Sequence, residues 1–352
     1  MRKLFALAFI VLLFGVLAWA QEIKHEFTIQ GSGFFPKETT ASGITSAVEG
    51  DYDYSRNAEK YSTTSRTIRV ATNVHAVVAQ PEPVRIAIDH LRNLEYDPAK
   101  QGLGLWLKEH PDDLYAWNYL ATTTLYQEMF RQGVLKSRVY GEGGEVFKAS
   151  KLPVTPEFQK ELLTILDKAQ ALADERLKKD PQDKDAMYWA GVTHGTRATY
   201  HFTLRKEYKP ALREATAAYK HHDQLLTLDA NYVDALLIVG VNNYVVGSLP
   251  WYLKVMASLT GRHGNKAEGL RQIQRAASEG RYAREDAQLI LAVLYQREKM
   301  HREALPLYQQ MASAYPRNYL LSKEVATLYG LVGEWRDASR EYDAILVKKE
   351  GL

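Results

Sequence analysis

Four of the ten histidines are the side chains best suited to bond chemistry in this 352-residue chain. His194 and His201 stand seven apart and can share one helix face, and His221 and His222 sit together ahead of Asp223. Three such groups converging on a point could bind a metal ion. Their spacing does not compel convergence, and they read as polar positions on long helices, so no metal is assigned. Asp51 and Asp53 alternate with Tyr52 and Tyr54 in the period of a strand, which makes them a solvated face rather than an acid-base pair in a cleft. Gly141-Glu142-Gly143-Gly144 and Gly261 to Lys266 lack the lysine and hydroxyl of a phosphate loop at the required spacing. No serine lies in a nucleophile-elbow pattern, and the absence of cysteine removes thiol chemistry, disulfides and acylation on cysteine. The expectation is a chain that is no enzyme and needs no cofactor.

The elements around these residues are set by a repeat. Leu291, Ala292, Tyr295, Ala304, Tyr308 and Met311 are followed 34 positions later by Val325, Ala326, Tyr329, Ala338, Tyr342 and Ile345. In each copy the alanines are 12 apart, and Pro316 lies 12 beyond Ala304. Small residues at these points let two antiparallel helices approach, while tyrosines and aliphatics fill the space between neighbouring pairs. The pattern resembles the tetratricopeptide repeat (TPR), a helix-turn-helix unit of 34 residues.

Earlier copies are less regular. Pro81-Glu82-Pro83 opens a first hairpin over about 83–110, with its second helix starting at Asp97-Pro98-Ala99. Pro111 to Ala121 begins the second pair. Its partner helix is delayed by an insertion, Gly133 to Pro156, after which Thr155 caps and Pro156 starts a helix ending near Asp180-Pro181. A third pair joins Ala186, Trp189, Ala190 and Gly191 to a helix over Ala211–Leu228. The fourth runs from Tyr232 to about Val246, is broken by Pro250, and resumes over about Asn265–Ser278. Trp251 and Tyr252 in this expanded stretch read as core aromatics. With the two regular copies this makes an all-α, TPR-like α-solenoid of about six helical hairpins over residues 82–352.

The first eighty residues differ in kind. Arg2 and Lys3, an apolar run over Leu4–Leu17 and Ala18-Trp19-Ala20 read as a cleaved export signal, so residues 1–20 are assigned as a signal peptide, the alternative being an uncleaved membrane anchor. Residues 21–80 alternate in the period of β-strands, as in Glu26–Gln30 and Thr67–Val78, and form a short β-rich segment. They are similar to the opening strands of bacterial outer-membrane β-barrel proteins, although about three strands cannot close a barrel. The formal charge of +3 falls to about +1 once Arg2 and Lys3 leave with the leader, which gives no electrostatic basis for a nucleic-acid partner. The expected location is the periplasm or the outer membrane.

A stack of hairpins presents a concave face lined by the first helix of each pair. The TPR resemblance places its groove positions on Tyr115, Asn118 and Tyr126 in the second hairpin, Asp185 and Tyr188 in the third, and Asp234 and Tyr244 in the fourth. Gln296 and Arg297 follow in the fifth, and Lys323 in the last. Tyrosines and amides of this kind suit an extended peptide. The resemblance implies an exported, non-enzymatic scaffold for protein or peptide partners; the alternative is an outer-membrane-associated component anchored by its β segment.

Overall fold

Caps and prolines decide where each helix begins. Asp113, Thr155, Asp183 and Asn265 lie one residue ahead of a helix, and each accepts a backbone N–H from its first turn, at 3.0, 3.2, 2.9 and 3.1 Å. That satisfies one of the donors a helix start leaves open. In the computed structural model, which describes residues 81–135, 153–249, 254 and 264–350, such signals delimit twelve α-helices. The expectations for the leader, the β-rich segment and the inner parts of both insertions lie outside these residues.

The helices are α1 (Glu82–Arg92), α2 (Tyr96–Glu109), α3 (Leu114–Arg131), α4 (Pro156–Lys179), α5 (Lys184–Thr199) and α6 (Tyr208–Leu228). They continue as α7 (Leu236–Gly247), α8 (Lys266–Glu279), α9 (Arg284–Arg297), α10 (His301–Ala314), α11 (Tyr319–Leu331) and α12 (Trp335–Glu350). Successive helices pack as six hairpins, α1/α2 through α11/α12. No helix among the described residues is long and apolar enough to cross a membrane.

The period is visible in the turns. Lys299 and Gly333, 34 residues apart, both adopt left-handed backbone with φ of 62° and 87°, and Leu94 repeats this in the first hairpin at 65°. In each case the N–H that follows closes the helix on a carbonyl five residues back, Met300 to Tyr295 at 2.8 Å, Glu334 to Tyr329 at 2.8 Å and Glu95 to His90 at 2.9 Å. Ala99, Ala169, Ala186, Ala190, Ala292 and Ala304 are fully buried where helices come closest. Tyr308 and Met311 fill the gap to the next pair and meet Leu321, Val325 and Leu328.

Two departures from the sequence reading have local causes. Between α5 and α6 the backbone widens into a π-helical segment, Tyr200–Arg205, which turns Tyr200, Phe202 and Leu204 inward. The fourth hairpin opens with a 3-10 turn, Val233–Ala235, instead of a regular helix from Tyr232. There Asp234 is drawn to another part of the chain.

Candidate partner-binding face

The aromatic residues of α3 and α5 are already in contact with a residue of the chain itself. Tyr282, in the turn between α8 and α9, lies 5.5 Å from the Tyr115 ring, 5.2 Å from Trp189 and 5.8 Å from Tyr188, the last pair stacked. Arg281 covers the Tyr282 ring at 4.5 Å. This turn is held from below by one carboxylate oxygen, because Asp234 Oδ1 accepts the N–H groups of Arg281, Tyr282 and Ala283 at 2.7, 2.7 and 2.8 Å. A carboxylate gathering three backbone donors compensates its burial and fixes the turn in one conformation. Gly280 makes room for the approach: a Cβ there would fall 2.5 Å from the Ala276 carbonyl and 3.1 Å from Asp234 Oδ1.

A second closure brings the first hairpin onto the last ones. Arg92, at the end of α1, bonds Asp286 of α9 at 2.5 Å with only 12% of its side chain exposed. Burial works against the Arg92 charge, yet the neighbouring Asp286 more than offsets it and holds the guanidinium pKa above its ordinary value. Arg317, in the turn between α10 and α11, reaches Asp89 at 2.9 Å and Glu95 at 2.8 Å. Asn318 donates to the Arg92 carbonyl at 2.8 Å, and Tyr319 meets Phe130 edge-on at 6.4 Å. Beside this contact a cleft of about 660 Å³ opens between Glu95, Tyr96, Gln127, Phe130 and Arg131.

The ten groove residues differ widely in exposure. Asn118, Tyr188, Asp234 and Tyr244 are buried, between 1% and 6% exposed. Asn118 receives the Thr193 hydroxyl at 2.9 Å, and the Tyr244 hydroxyl donates to Glu298 at 2.5 Å. Tyr115 and Tyr126 are half-buried, and burial pushes the Tyr126 hydroxyl up to about 12. Asp185 is exposed and accepts the Tyr232 hydroxyl at 3.0 Å. Lys323 is exposed, with Arg297 and Gln296 half-buried on the neighbouring first helix. Gln296 donates to Glu324 of α11 at 3.2 Å and accepts from Tyr308 at 3.3 Å, which ties the fifth and sixth hairpins at this surface. The residues sequence reasoning missed are Arg92, Tyr282, Asp286 and Arg317. Their only signal is position at helix ends and turns, and their partners are distant in sequence.

The histidines fall into separate pairings. His194 Nδ1 lies 2.8 Å from Glu214, its ring stacks on His221 at 5.5 Å, and His201 pairs with Glu207 at 2.8 Å. Burial opposes ionisation of Glu214, but hydrogen bonds from His194 and Arg213 and the charge of Arg197 outweigh it and hold the carboxyl at about 2. His222 is fully buried, its Nδ1 donates to the Ala218 carbonyl at 2.8 Å, and burial lowers its pKa to about 4. It occupies the space that Gly191 leaves, where a Cβ would sit 2.3 Å from the ring. Among the described residues no group of three His, Cys, Asp or Glu side chains is placed to share a metal ion.

No family model and no curated protein matches the chain. Among solved structures it is similar to a thermophilic TPR protein of Thermus thermophilus, at 14% identity over 70% of this chain and 96% of that one, with a TM-score of 0.38. It is also similar to yeast Tom70, at 14% identity over 77% of this chain and 69% of that one, with a TM-score of 0.30. With TM-scores this low neither match carries the architecture, which rests on the 34-residue period coinciding with the hairpins α9/α10 and α11/α12.

Proposed function

We propose that this tetratricopeptide-type array is a non-enzymatic scaffold, exported to the periplasm or the outer-membrane surface, that binds protein or peptide partners on the inner face of its first helices. The observation that carries the reading is the surface shared by α9 and α11. There Gln296, bonded across to Glu324, lies next to Arg297 and near the exposed Lys323. An amide and two cations on the first helices of consecutive hairpins offer directional donors to the carbonyls and carboxylates of an extended segment. In the second to fourth hairpins, Tyr115, Tyr188 and Asp234 meet a partner only after Tyr282 and its turn move away, and Asn118 and Tyr244 are held by Thr193 and Glu298. Export rests on the basic, apolar and small-residue pattern of Arg2–Ala20.

The test is crosslinking with mass spectrometry on fractions of cells producing a C-terminally tagged chain. Recovery in soluble periplasm with crosslinks at Arg297 and Lys323 supports the scaffold. Exchanging both residues for glutamate then lowers partner capture about tenfold, the effect of losing roughly 1.4 kcal/mol of binding energy. Undiminished capture by that variant overturns the assignment of this face. Carbonate-resistant recovery in the outer membrane replaces a soluble scaffold with an anchored one.

A further inference from the structure

The last helix carries an apolar seam that is largely open to solvent, with the Trp335 ring beside Gly330 and the Tyr342 hydroxyl beside Thr327 of α11. Trp335, Tyr342 and Leu346 are 71%, 42% and 59% exposed, and Val347 beside them is 70% exposed. The repeat shows what kind of surface this is. One period earlier, Tyr308 and Met311 stand where Tyr342 and Ile345 stand here, and they are 1% and 4% exposed because α11 lies across them with Leu321, Val325 and Leu328. The face of α12 is therefore shaped to receive an amphipathic helix. Its ring is held in place, since the Tyr342 hydroxyl is 3.1 Å from the Thr327 hydroxyl.

The spacing on α12 identifies the helix that fits. Trp335, Ser339, Tyr342 and Leu346 are separated by four, three and four residues, the seam of a two-stranded coiled coil. Arg336 and Asp343 flank this seam, both exposed, and among the described residues neither makes an ion pair. Laid antiparallel about a two-fold axis through the middle of the seam, a second α12 sets Trp335 over Leu346 and Ser339 over Tyr342. The same pairing brings Arg336 of each copy beside Asp343 of the other, so one symmetric contact forms this ion pair twice and satisfies all four charges. We infer that α12 is a self-association surface, and that two copies of this chain pair through antiparallel α12 helices. A contact of one helix on another lies at the small end of specific interfaces, so the dimer forms in the micromolar range.

Sedimentation of the full chain between about 1 and 100 µM tests this, that range spanning the expected dissociation constant. The expected result is a reversible monomer–dimer equilibrium that Leu346→Asp abolishes without loss of helical circular dichroism, because the side chain is on the surface. Arg336→Asp and Asp343→Arg each weaken the dimer about tenfold, since like charges then face each other across the axis. The double exchange restores it to within about threefold, a readout that general loss of folding cannot imitate. A chain that stays monomeric throughout overturns the proposal and gives the face to a helix of another protein. Failure of the double exchange to rescue overturns the antiparallel register.

Discussion

Replacing Asp286 by alanine tests whether the contact between the first and fifth hairpins is held by charge. The Arg92 guanidinium lies 2.5 Å from Asp286, with side chains 12% and 38% exposed. Removing one partner of a fully buried pair costs about 3–5 kcal/mol because the other charge is left without solvent or counter-charge. Asp286 is more than a third exposed, so screening reduces this to about 2 kcal/mol. With a urea dependence of about 3 kcal/mol per molar, the midpoint falls by about 0.7 M. Hydrogen exchange localises the effect: amides of α1 lose protection while those of α10 keep theirs. Arg92→Met leaves a carboxylate that water still reaches, so it costs less, about 1 kcal/mol. Arg92→Met combined with Asp286→Leu returns to within about 1 kcal/mol of the parent, since an apolar pair needs no counter-charge. A loss below about 0.5 kcal/mol for Asp286→Ala, with α1 protection unchanged, would refute the reasoning and leave the Arg317 contacts as the fastening.

Three further outcomes follow from the same geometry. Asp234→Ala strands the three N–H groups of Arg281, Tyr282 and Ala283 and costs about 3 kcal/mol; trypsin then cleaves after Arg281, whereas an uncut turn would mean the clamp is dispensable. His222, held at about 4 by burial against an ordinary value of 6.5, binds its proton more readily unfolded than folded. Stability is therefore lost as pH falls from 6.5 to 4, by about 3 kcal/mol in all and about 2 kcal/mol between pH 7 and 5. His222→Leu removes that part of the slope in urea titrations; an unchanged slope would assign it to other groups. Glu214, depressed to about 2 from 4.5, acts lower down, its stabilisation vanishing as pH falls from 4.5 towards 2, and Glu214→Gln flattens that limb alone.

The helix boundaries were legible because their causes are local. Thr155 and Pro156 announce α4 after a long insertion, and the 34-residue spacing of Ala292, Ala304, Ala326 and Ala338 fixes the last four helices. The fate of the groove was not legible. Repeat position assigns Asp234 and Tyr188 to a face, but what covers that face depends on how far successive hairpins rotate, which is the sum of many small packing angles. Asp234 is buried because a turn 47 residues away brings three donors to it. Arg92 finds Asp286 194 residues on, a distance at which no spacing rule applies. The π-helical segment at Tyr200 was missed for the opposite reason, since its apolar and polar alternation over six residues has the period of a strand and carries no mark of a widened helix.

The Arg92–Asp286 contact also limits how such a chain can change length over generations. A linear stack tolerates gain or loss of whole units, because each touches only its neighbours. Here a duplicated unit between the first and fifth would carry Arg92 away from its carboxylate and withdraw Tyr282 from Tyr115 and Trp189. The contact therefore constrains unit number between those points, whereas sequence added inside a pair leaves it intact. The two long insertions, Gly133 to Pro156 and the stretch beyond Leu249, both lie inside pairs.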